Sequence, residues 1–219
     1  MFGMNLFLDT NVLLGYIFET DHWNYKSLEV VNCFTPKYSS LDVCKECTYK
    51  YESKLKGILS ELRKFGRKIR LSKTLDDLES YLRDECVITG DILIEFLNLN
   101  TNVSKNELMI RFTEFQRGTE KRCHSNYKYL LNEITFHQRH VSYDDLYNLC
   151  LACGFVSDDA DDVEIVIDAH DLGLKIDTLL LVTGDYNHIV PRRVFIINNT
   201  SLSDVIGLGQ FNRNLLGSG

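Results

Sequence analysis

Two short apolar segments near the ends of the chain are each followed by an aspartate. Asn5–Leu8 precedes Asp9, and residues 179–182 lead into Thr183-Gly184-Asp185. A continuous apolar run of four residues is typical of a strand that is buried on both faces of a parallel sheet. In open parallel sheets, the functional crevice lies at the carboxyl ends of the strands. We therefore expect an α/β fold in which Asp9 and Asp185 lie at the same edge of the sheet.

The remaining elements are predicted from hydrophobic periodicity and capping residues. Helices are predicted over residues 12–18, 23–31, 41–65 (capped by Ser39 or Ser40), 142–153 (opened by a capping box from Ser142 to Asp145 and stopped by Gly154) and 158–172 (followed by Gly173), and one more strand over residues 194–197. This order indicates an open, mostly parallel central sheet flanked by helices. Residues 75–140 are mostly helical in pattern, with turn signals at Gly90, residues 98–102 and Gly118.

Length and composition favour one folded domain. The chain has 219 residues, of which 44% are hydrophobic, and the 12 Phe and 11 Tyr provide material for a sizeable core. We expect a single domain over residues 1–219 with a helical insertion at about 56–140. The seven cysteines are an odd number, and neither a signal peptide nor an apolar run of membrane-spanning length is visible. The prediction is a cytoplasmic protein with reduced thiols and no membrane contact.

Basic residues are concentrated in one segment of an otherwise acidic chain. The net charge is −7, yet residues 50–73 contain nine Lys or Arg and two Glu, a local net of +7. We expect this stripe to bind an RNA backbone through four cations, which are Lys64, Arg67, Lys68 and Arg70. A second segment mixes Lys121 and Arg122 with aromatic residues such as Tyr127 and Tyr129, a composition that suits single-stranded RNA. A solvated helix face is the alternative for both segments.

Four acidic residues are candidates for a divalent metal site. Asp9 and Asp185 follow strands, Asp162 lies in the first turn of its predicted helix, and Glu46 lies at the border of the apolar stripe of the helix over residues 41–65. Mg²⁺ and Mn²⁺ prefer carboxylate oxygens, and such ions support phosphodiester cleavage. Each residue taken alone also has a structural interpretation as a turn former or a favourable charge at a helix N-terminus.

The four acidic segments, taken in order, resemble the motifs of PIN-domain nucleases. Residues 6–14 are similar to the family's opening strand, aspartate and helix, and Ser40 followed by Glu46 is similar to its second acidic position. Asp162-Val163-Glu164-Ile165 with Ala169 resembles the third motif, and residues 180–185 resemble the fourth. The resemblance covers residues 5–46 and 158–198, which is less than half of the chain.

The resemblance implies a metal-dependent ribonuclease that leaves 5′-phosphate and 3′-hydroxyl ends. Asp9, Glu46, Asp162 and Asp185 would hold Mg²⁺ or Mn²⁺, while Asn11 and Thr183 would position the pocket through hydrogen bonds. An endonuclease is expected, either a toxin with an antitoxin partner or an enzyme of an RNA-processing complex. Homodimers are common in the family and are a further expectation.

Two features leave the function and the extent of the site open. Residues 162–169 and 183–187 are also similar to the NYN branch of PIN-like nucleases, in which Asp168 would join the site. Helical geometry instead predicts a solvated position for Asp168. After Asp185 the chain continues Tyr186-Asn187-His188, where many relatives carry another acidic residue. A catalytically weak module that binds RNA or a protein partner is therefore the alternative function.

Two other chemistries are considered from the residues. The pairs Cys44–Cys47 and Cys150–Cys153 have the CxxC spacing of zinc ligands, although both lie on apolar helix stripes where buried thiols are common. A haloacid-dehalogenase-like phosphatase would use Asp9 as its nucleophile, but that chemistry needs a second aspartate two residues later. This chain has Asn11 at that position.

Overall fold

The computed structural model describes residues 4–72, 74–155 and 160–212. It is an α/β structure whose five strands form one parallel sheet in the order β3-β2-β1-β4-β5. The strands are β1 (Asn5–Leu8), β2 (Lys37–Ser40), β3 (Thr135–His137), β4 (Leu179–Thr183) and β5 (Asp204–Gly207). The helices are α1 (Thr10–Ile17), α2 (Asn24–Val31), α3 (Leu41–Leu71), α4 (Leu75–Glu85), α5 (Gly90–Asn98), α6 (Lys105–Glu133), α7 (Asp144–Ala152), α8 (Ala160–Gly173) and α9 (Arg193–Asn199). The predicted open parallel sheet with flanking helices is confirmed.

The two central strands are the apolar segments from which the fold was predicted. Every residue of β4 is buried, and Leu6, Phe7 and Leu8 of β1 have no exposed surface. The two strands are paired in register, with Leu8 opposite Val182. The N–H of Asp9 donates to the carbonyl of Val182 at 3.1 Å. Asp9 is thereby fixed at the carboxyl end of the sheet, next to the end of β4.

The prediction of a strand over residues 194–197 is wrong, because these residues lie in α9. Val194 is 72% exposed whereas Ile196 is fully buried, so this apolar run covers the sheet with one side only. The strand that follows β4 in the sheet is instead β5, in which Val205 and Ile206 are the apolar residues. Strands β2 and β3 were also not predicted, and β3 lies within the range expected to be a helical insertion.

Two smaller predictions on the helices are also corrected. Gly118 lies inside α6 rather than in a turn. Helix α7 begins at Asp144 after Tyr143 and has no side-chain cap, because the Ser142 hydroxyl donates to the Asp144 carboxylate instead of accepting from the backbone. Of the helix predicted from residue 158, residues 158 and 159 lie outside the described residues, and α8 is described from Ala160.

Helices α3 to α6 connect β2 to β3 along the chain and form a helical layer with its own aromatic core. Phe65 of α3 packs edge to face on Phe112 of α6 with ring centroids 5.3 Å apart, and Phe96 of α5 packs on Phe112 at 5.6 Å. Helix α3 alone has 31 residues, so it is about 46 Å long. Its first turns lie at the sheet edge and its last turns lie in this helical layer. In the part of the chain that the structure describes, no helix combines the length and apolarity needed to cross a membrane.

Candidate metal centre

Asp9 is buried at the junction between β1 and α1. Its side chain is 2% exposed, and its backbone adopts the extended conformation of a helix N-cap. The Oδ2 atom accepts a hydrogen bond from Thr183 Oγ1 at 2.6 Å and one from Asn11 Nδ2 at 3.2 Å. The two residues that were expected to position the pocket therefore hold one oxygen of Asp9. This arrangement follows from the pairing of β1 with β4, which brings Thr183 beside Asp9.

Glu46 reaches the same edge from the second turn of α3. This helix begins directly after β2, where the Ser40 side chain accepts from the Val43 N–H at 3.2 Å. Thr10 Oγ1 donates to one carboxylate oxygen of Glu46, and Lys50 Nζ forms an ion pair with the other. The Glu46 side chain is 26% exposed, which agrees with its predicted position at the border of the apolar stripe.

Asp162, Asp185 and His188 form the tightest group of the centre. His188 Nδ1 is 2.9 Å from Asp162 Oδ2 and 3.8 Å from Asp185 Oδ2. The other oxygen of Asp185 accepts from the N–H groups of Asn187 at 2.8 Å and of His188 at 2.9 Å. Within the described ranges, this is the one group of three or more acidic, histidine or cysteine residues whose ligand atoms all lie within 4.8 Å of one another.

His188 was not predicted as a site residue. The resemblance to PIN-domain nucleases predicts an acidic residue after Asp185, and His188 departs from that pattern. The turn that begins at Asp185 returns the chain toward the first turn of α8, and this places the imidazole between Asp162 and Asp185. A histidine three residues after a predicted metal ligand was the signal that could have indicated it.

Burial, and to a smaller extent the charge of neighbouring carboxylates, raises the pKa of two residues of the centre. Burial raises the pKa of Asp9 to about 6, and the charges of Asp162 and Glu46 act in the same direction against the hydrogen bond from Thr183. Burial also raises the pKa of Asp162 to about 6, with a further increase from the charge of Asp185 and a decrease from His188. The ionised forms of both residues lack enough positive charge around them. A divalent cation would supply that charge.

The donor set fits a divalent metal ion of the first transition series or Mg²⁺. Four carboxylates on four separate segments supply oxygen ligands, which suit Mg²⁺ and Mn²⁺. His188 adds a nitrogen ligand, and imidazole is a better ligand for Mn²⁺ and later transition metals than for Mg²⁺. The residues that would hold the ion are Asp162, Asp185 and His188 at its centre, with Asp9 and Glu46 beside them.

Most residues predicted to bind RNA lie far from this centre. Lys64, Arg67, Lys68 and Arg70 follow Glu46 on α3 by 18 to 24 residues, which corresponds to about 27–36 Å along the helix axis. Arg122 forms an ion pair with Glu19 at 2.7 Å, and Lys121 is exposed on α6. Two other cations of α3 lie closer to the carboxylates, because Lys45 and Lys50 flank Glu46 on the helix. Lys50 pairs with Glu46, and its charge also interacts with those of Asp9 and Asp161.

Asp168 is not solvated, so that prediction is wrong. It is 3% exposed and accepts from Arg139 Nε at 2.8 Å, while Arg139 also pairs with Glu164. Arg139 follows β3, which lies at the sheet edge next to β2, and packing of α8 against that edge brings the two residues together. One turn further along α8, Asp171 has hydrogen bonds with Lys175, Tyr143 and His137, and these outweigh burial and lower its pKa to about 2. Asp168 thus belongs to a buried ion pair with Arg139, and it lines a pocket together with Glu46 and Asp161.

The cysteines do not form a zinc site. All seven thiols are free, and the tight metal-capable group among the described residues contains no cysteine. Cys47 and Cys150 are buried, and burial raises the pKa of Cys47 to about 12. A thiol with a raised pKa is a poor metal ligand, because the thiolate is the form that binds. Cys47 and Cys150 are therefore packing residues of α3 and α7, whereas Cys44 is half-buried and Cys153 is exposed just after α7.

The chain matches no family model, and no curated protein and no solved structure matches it either. The resemblance to PIN-domain nucleases consequently depends on the four acidic motifs of the sequence. The geometry described above is independent of that resemblance, because it follows from the strand order and from the contacts of the side chains.

Proposed function

We propose that this protein is a Mg²⁺- or Mn²⁺-dependent ribonuclease of the PIN type, with an endonucleolytic mode of cleavage. The observation that carries the proposal is the convergence of Asp9, Glu46, Asp162 and Asp185 at one end of a parallel sheet. These residues come from four segments that are distant in sequence. The pKa values of Asp9 and Asp162 are raised by burial and by neighbouring carboxylates, and a bound cation would stabilise the ionised form of both residues.

Each residue of the centre has a defined part in this proposal. Asp162, Asp185 and His188 form the primary ligand group, and Asp9 and Glu46 complete the negative surface around it. Thr183 and Asn11 orient Asp9 through hydrogen bonds to its Oδ2 atom. A bound divalent ion would polarise the phosphate and increase the acidity of water.

Hydrolysis would add water across the P–O3′ bond of the RNA. The water oxygen forms the new bond to phosphorus and the bond to the 3′ oxygen breaks. One proton of the water ends on the 3′ oxygen, and the other is lost when the new 5′-phosphate ionises. Lys50 is suited to pair with the phosphate, because its side chain is 50% exposed and its charge already interacts with Asp9 and Asp161.

The test is cleavage of a mixed pool of single-stranded and structured RNA, with sequencing of the product ends. Wild type, Asp9→Asn and Asp42→Asn are each assayed with EDTA, Mg²⁺ or Mn²⁺. Asp42 is a matched control, because it is an aspartate one turn before Glu46 on α3 and its side chain is 66% exposed. Cleavage that requires metal, persists in Asp42→Asn and is lost in Asp9→Asn is the expected result. RNA left intact by wild type in both metals would refute the proposal.

One observation favours a second function, in which the centre binds RNA or a protein partner without catalysis. Lys50 forms an ion pair with Glu46, and His188 contacts both Asp162 and Asp185. Protein cations therefore already neutralise part of the charge that a metal ion would neutralise. In this case wild type and Asp9→Asn would bind RNA equally well and neither would cleave it.

A further inference from the structure

Three aromatic side chains form a connected cluster next to the candidate metal centre. Trp23 stacks on Tyr186 with ring centroids 5.5 Å apart and an angle of 17° between the rings. The His22 ring contacts Trp23 with a centroid distance of 4.4 Å. Trp23 is thus the middle ring, and it is half-buried, whereas the His22 side chain is 75% exposed and Tyr186 is 38% exposed.

This cluster is joined directly to the residues of the centre. Tyr186 follows Asp185 in the chain, and Trp23 packs on the backbone of Gly184. A Cβ atom on Gly184 would lie 2.9 Å from Trp23 Nε1 and 3.0 Å from Asn11 Cβ, so glycine is needed for this close approach. The aromatic rings therefore begin at the end of β4, one residue away from a predicted metal ligand.

Tyr186 is held in place on several sides while part of its ring stays open to solvent. Its hydroxyl accepts from the Gly209 N–H at 2.8 Å. A Cβ atom on Gly207 would lie 2.6 Å from the same hydroxyl, which means that the ring end rests on glycine backbone. With Trp23 on its face, the ring is oriented before any ligand arrives. Preorganised aromatic surfaces lose little entropy when a ligand stacks on them.

The loop that carries Trp23 is also fixed, and a cation lies beside it. The backbone N–H of Trp23 donates to Asp21 Oδ1 at 2.9 Å, and Lys54 Nζ forms an ion pair with Asp21 Oδ2 at 2.6 Å. Lys54 is one helical turn after Lys50 on α3. Lys50 contacts the carboxylate of Glu46, and Lys54 contacts the loop of Trp23 through Asp21, so one helix presents a cation at each of the two places. A phosphate backbone that passes from one to the other would require such cations.

We propose that Tyr186 is a stacking platform for an unpaired nucleobase of the substrate next to the cleaved phosphate. The inference rests on the proposed ribonuclease function and adds a substrate preference to it. A base in a duplex has both faces covered by its neighbours, so the platform selects single-stranded RNA. Stacking on one aromatic ring contributes about 5- to 150-fold in affinity per base. Trp23 supports the platform from behind, and Lys50 and Lys54 bind the adjoining phosphates.

Trp23 is the single tryptophan of the chain, and its fluorescence therefore reports on this cluster alone. The experiment titrates the full-length protein with three RNA probes of equal length, namely a single strand, a strand with abasic sugars and a duplex. Titrations in EDTA prevent metal-dependent cleavage, and a repeat in Ca²⁺ neutralises the carboxylates. The expected result is quenching of Trp23 by the single strand, with an affinity at least about fivefold above that for the abasic strand and the duplex.

Two variants separate stacking from a structural role. Tyr186→Leu keeps apolar volume but removes the aromatic face, so we expect it to lose the preference for the single strand over the abasic strand. The matched control is Phe34→Leu, because Phe34 is an exposed aromatic residue that precedes β2, at the end of the strands opposite to Asp185. This control is expected to keep the preference. Tyr186→Phe retains the ring, loses the bond from Gly209 and is also expected to keep it.

The outcomes distinguish this inference from the proposed function. Quenching and base preference in a protein that cleaves no RNA would support the platform and refute the ribonuclease. Metal-dependent cleavage with equal affinity of wild type for single-stranded and abasic RNA would support the ribonuclease and overturn the platform. This last comparison uses wild type alone, so it holds even if Tyr186→Leu does not fold.

Discussion

Replacing Asp9 with asparagine is expected to make the metal-free protein more stable while it removes a ligand of the centre. Asp9 has the most buried side chain of the four predicted carboxylates, and its oxygen accepts from Thr183 and Asn11. An asparagine carbonyl oxygen can accept the same bonds from Thr183 and Asn11. The substitution therefore removes the buried charge and keeps the local hydrogen bonds.

The size of the effect follows from the pKa of Asp9. Burial raises this pKa from 3.8 to about 6, so the folded protein binds the proton more tightly than the unfolded chain does. The stability that this carboxyl contributes is fully present below pH 3.8 and is lost as the pH rises through about 6. A shift of about two pKa units corresponds to roughly 3 kcal/mol at pH 7.5 and to only about 0.5 kcal/mol at pH 4.

The assay is urea unfolding of wild type and Asp9→Asn in EDTA at pH 4 and pH 7.5. With an allowance for imperfect hydrogen bonding by asparagine, we expect the variant to be more stable by about 1–3 kcal/mol at pH 7.5. At pH 4 the two proteins should differ by less than about 1 kcal/mol. Comparing them at each pH cancels the titration of groups common to both. Asp42→Asn changes an exposed aspartate and should shift the unfolding free energy by less than about 0.5 kcal/mol at either pH.

The reasoning would be refuted if Asp9→Asn were no more stable than wild type at pH 7.5 in EDTA. A difference of the same size at pH 4 and pH 7.5 would refute it as well, because the gain would then come from packing and not from the buried charge.

The remaining predictions concern the helical layer and the edge of the site. Gly66→Ala should lower the unfolding free energy by about 1–3 kcal/mol in urea, because its Cβ would lie 2.9 Å from Phe112 Cε1. Gly118→Ala, on a helix surface against the flexible end of Arg122, should instead raise it by up to about 1 kcal/mol. Asp168→Asn weakens the buried pair with Arg139 and should lower the unfolding free energy by about 1–3 kcal/mol. Its affinity for Mn²⁺, measured by calorimetry, should be unchanged. A lost affinity would place Asp168 in the metal centre.

The parts of the fold that could be predicted are those in which one signal dominates. Strands β1 and β4 are central and buried on both faces, so apolar residues run without interruption over residues 6–8 and 179–182. The outer strands carry mixed sequences: β3 is Thr-Phe-His and β5 is Asp-Val-Ile-Gly. Strands of three or four residues with polar positions give no periodicity to detect. The apolar run in α9 has the pattern of a strand as well as that of a helix, because four residues cannot distinguish the two periods.

The candidate site also contains residues that the sequence predicts and residues that it does not. Asp9 and Asp185 were placed together because the ends of adjacent parallel strands meet at one edge. The predicted position of Glu46 depends on where α3 begins. The apolar stripe of α3 and the Ser40 cap indicate that point. The position of His188 depends on the turn after β4, and the burial of Asp168 depends on Arg139 beyond β3. The spacing of His188 from Asp185 is the one sequence signal for the first relationship, and the second has none. The contacts of His188 with Asp162 and of Arg139 with Asp168 arise from the packing of segments that are distant along the chain.

Binding of Mn²⁺ to the metal-free protein, measured by isothermal calorimetry at pH 7.5, tests most directly whether the four carboxylates and His188 form a metal centre. Wild type and Asp42→Asn should bind the ion with the same affinity, while Asp9→Asn and His188→Ala should bind it at least about tenfold more weakly. Circular dichroism of each variant establishes that it is folded. If wild type binds no Mn²⁺, or if all four proteins bind it equally, the acidic cluster is not a metal site and the ribonuclease proposal fails with it.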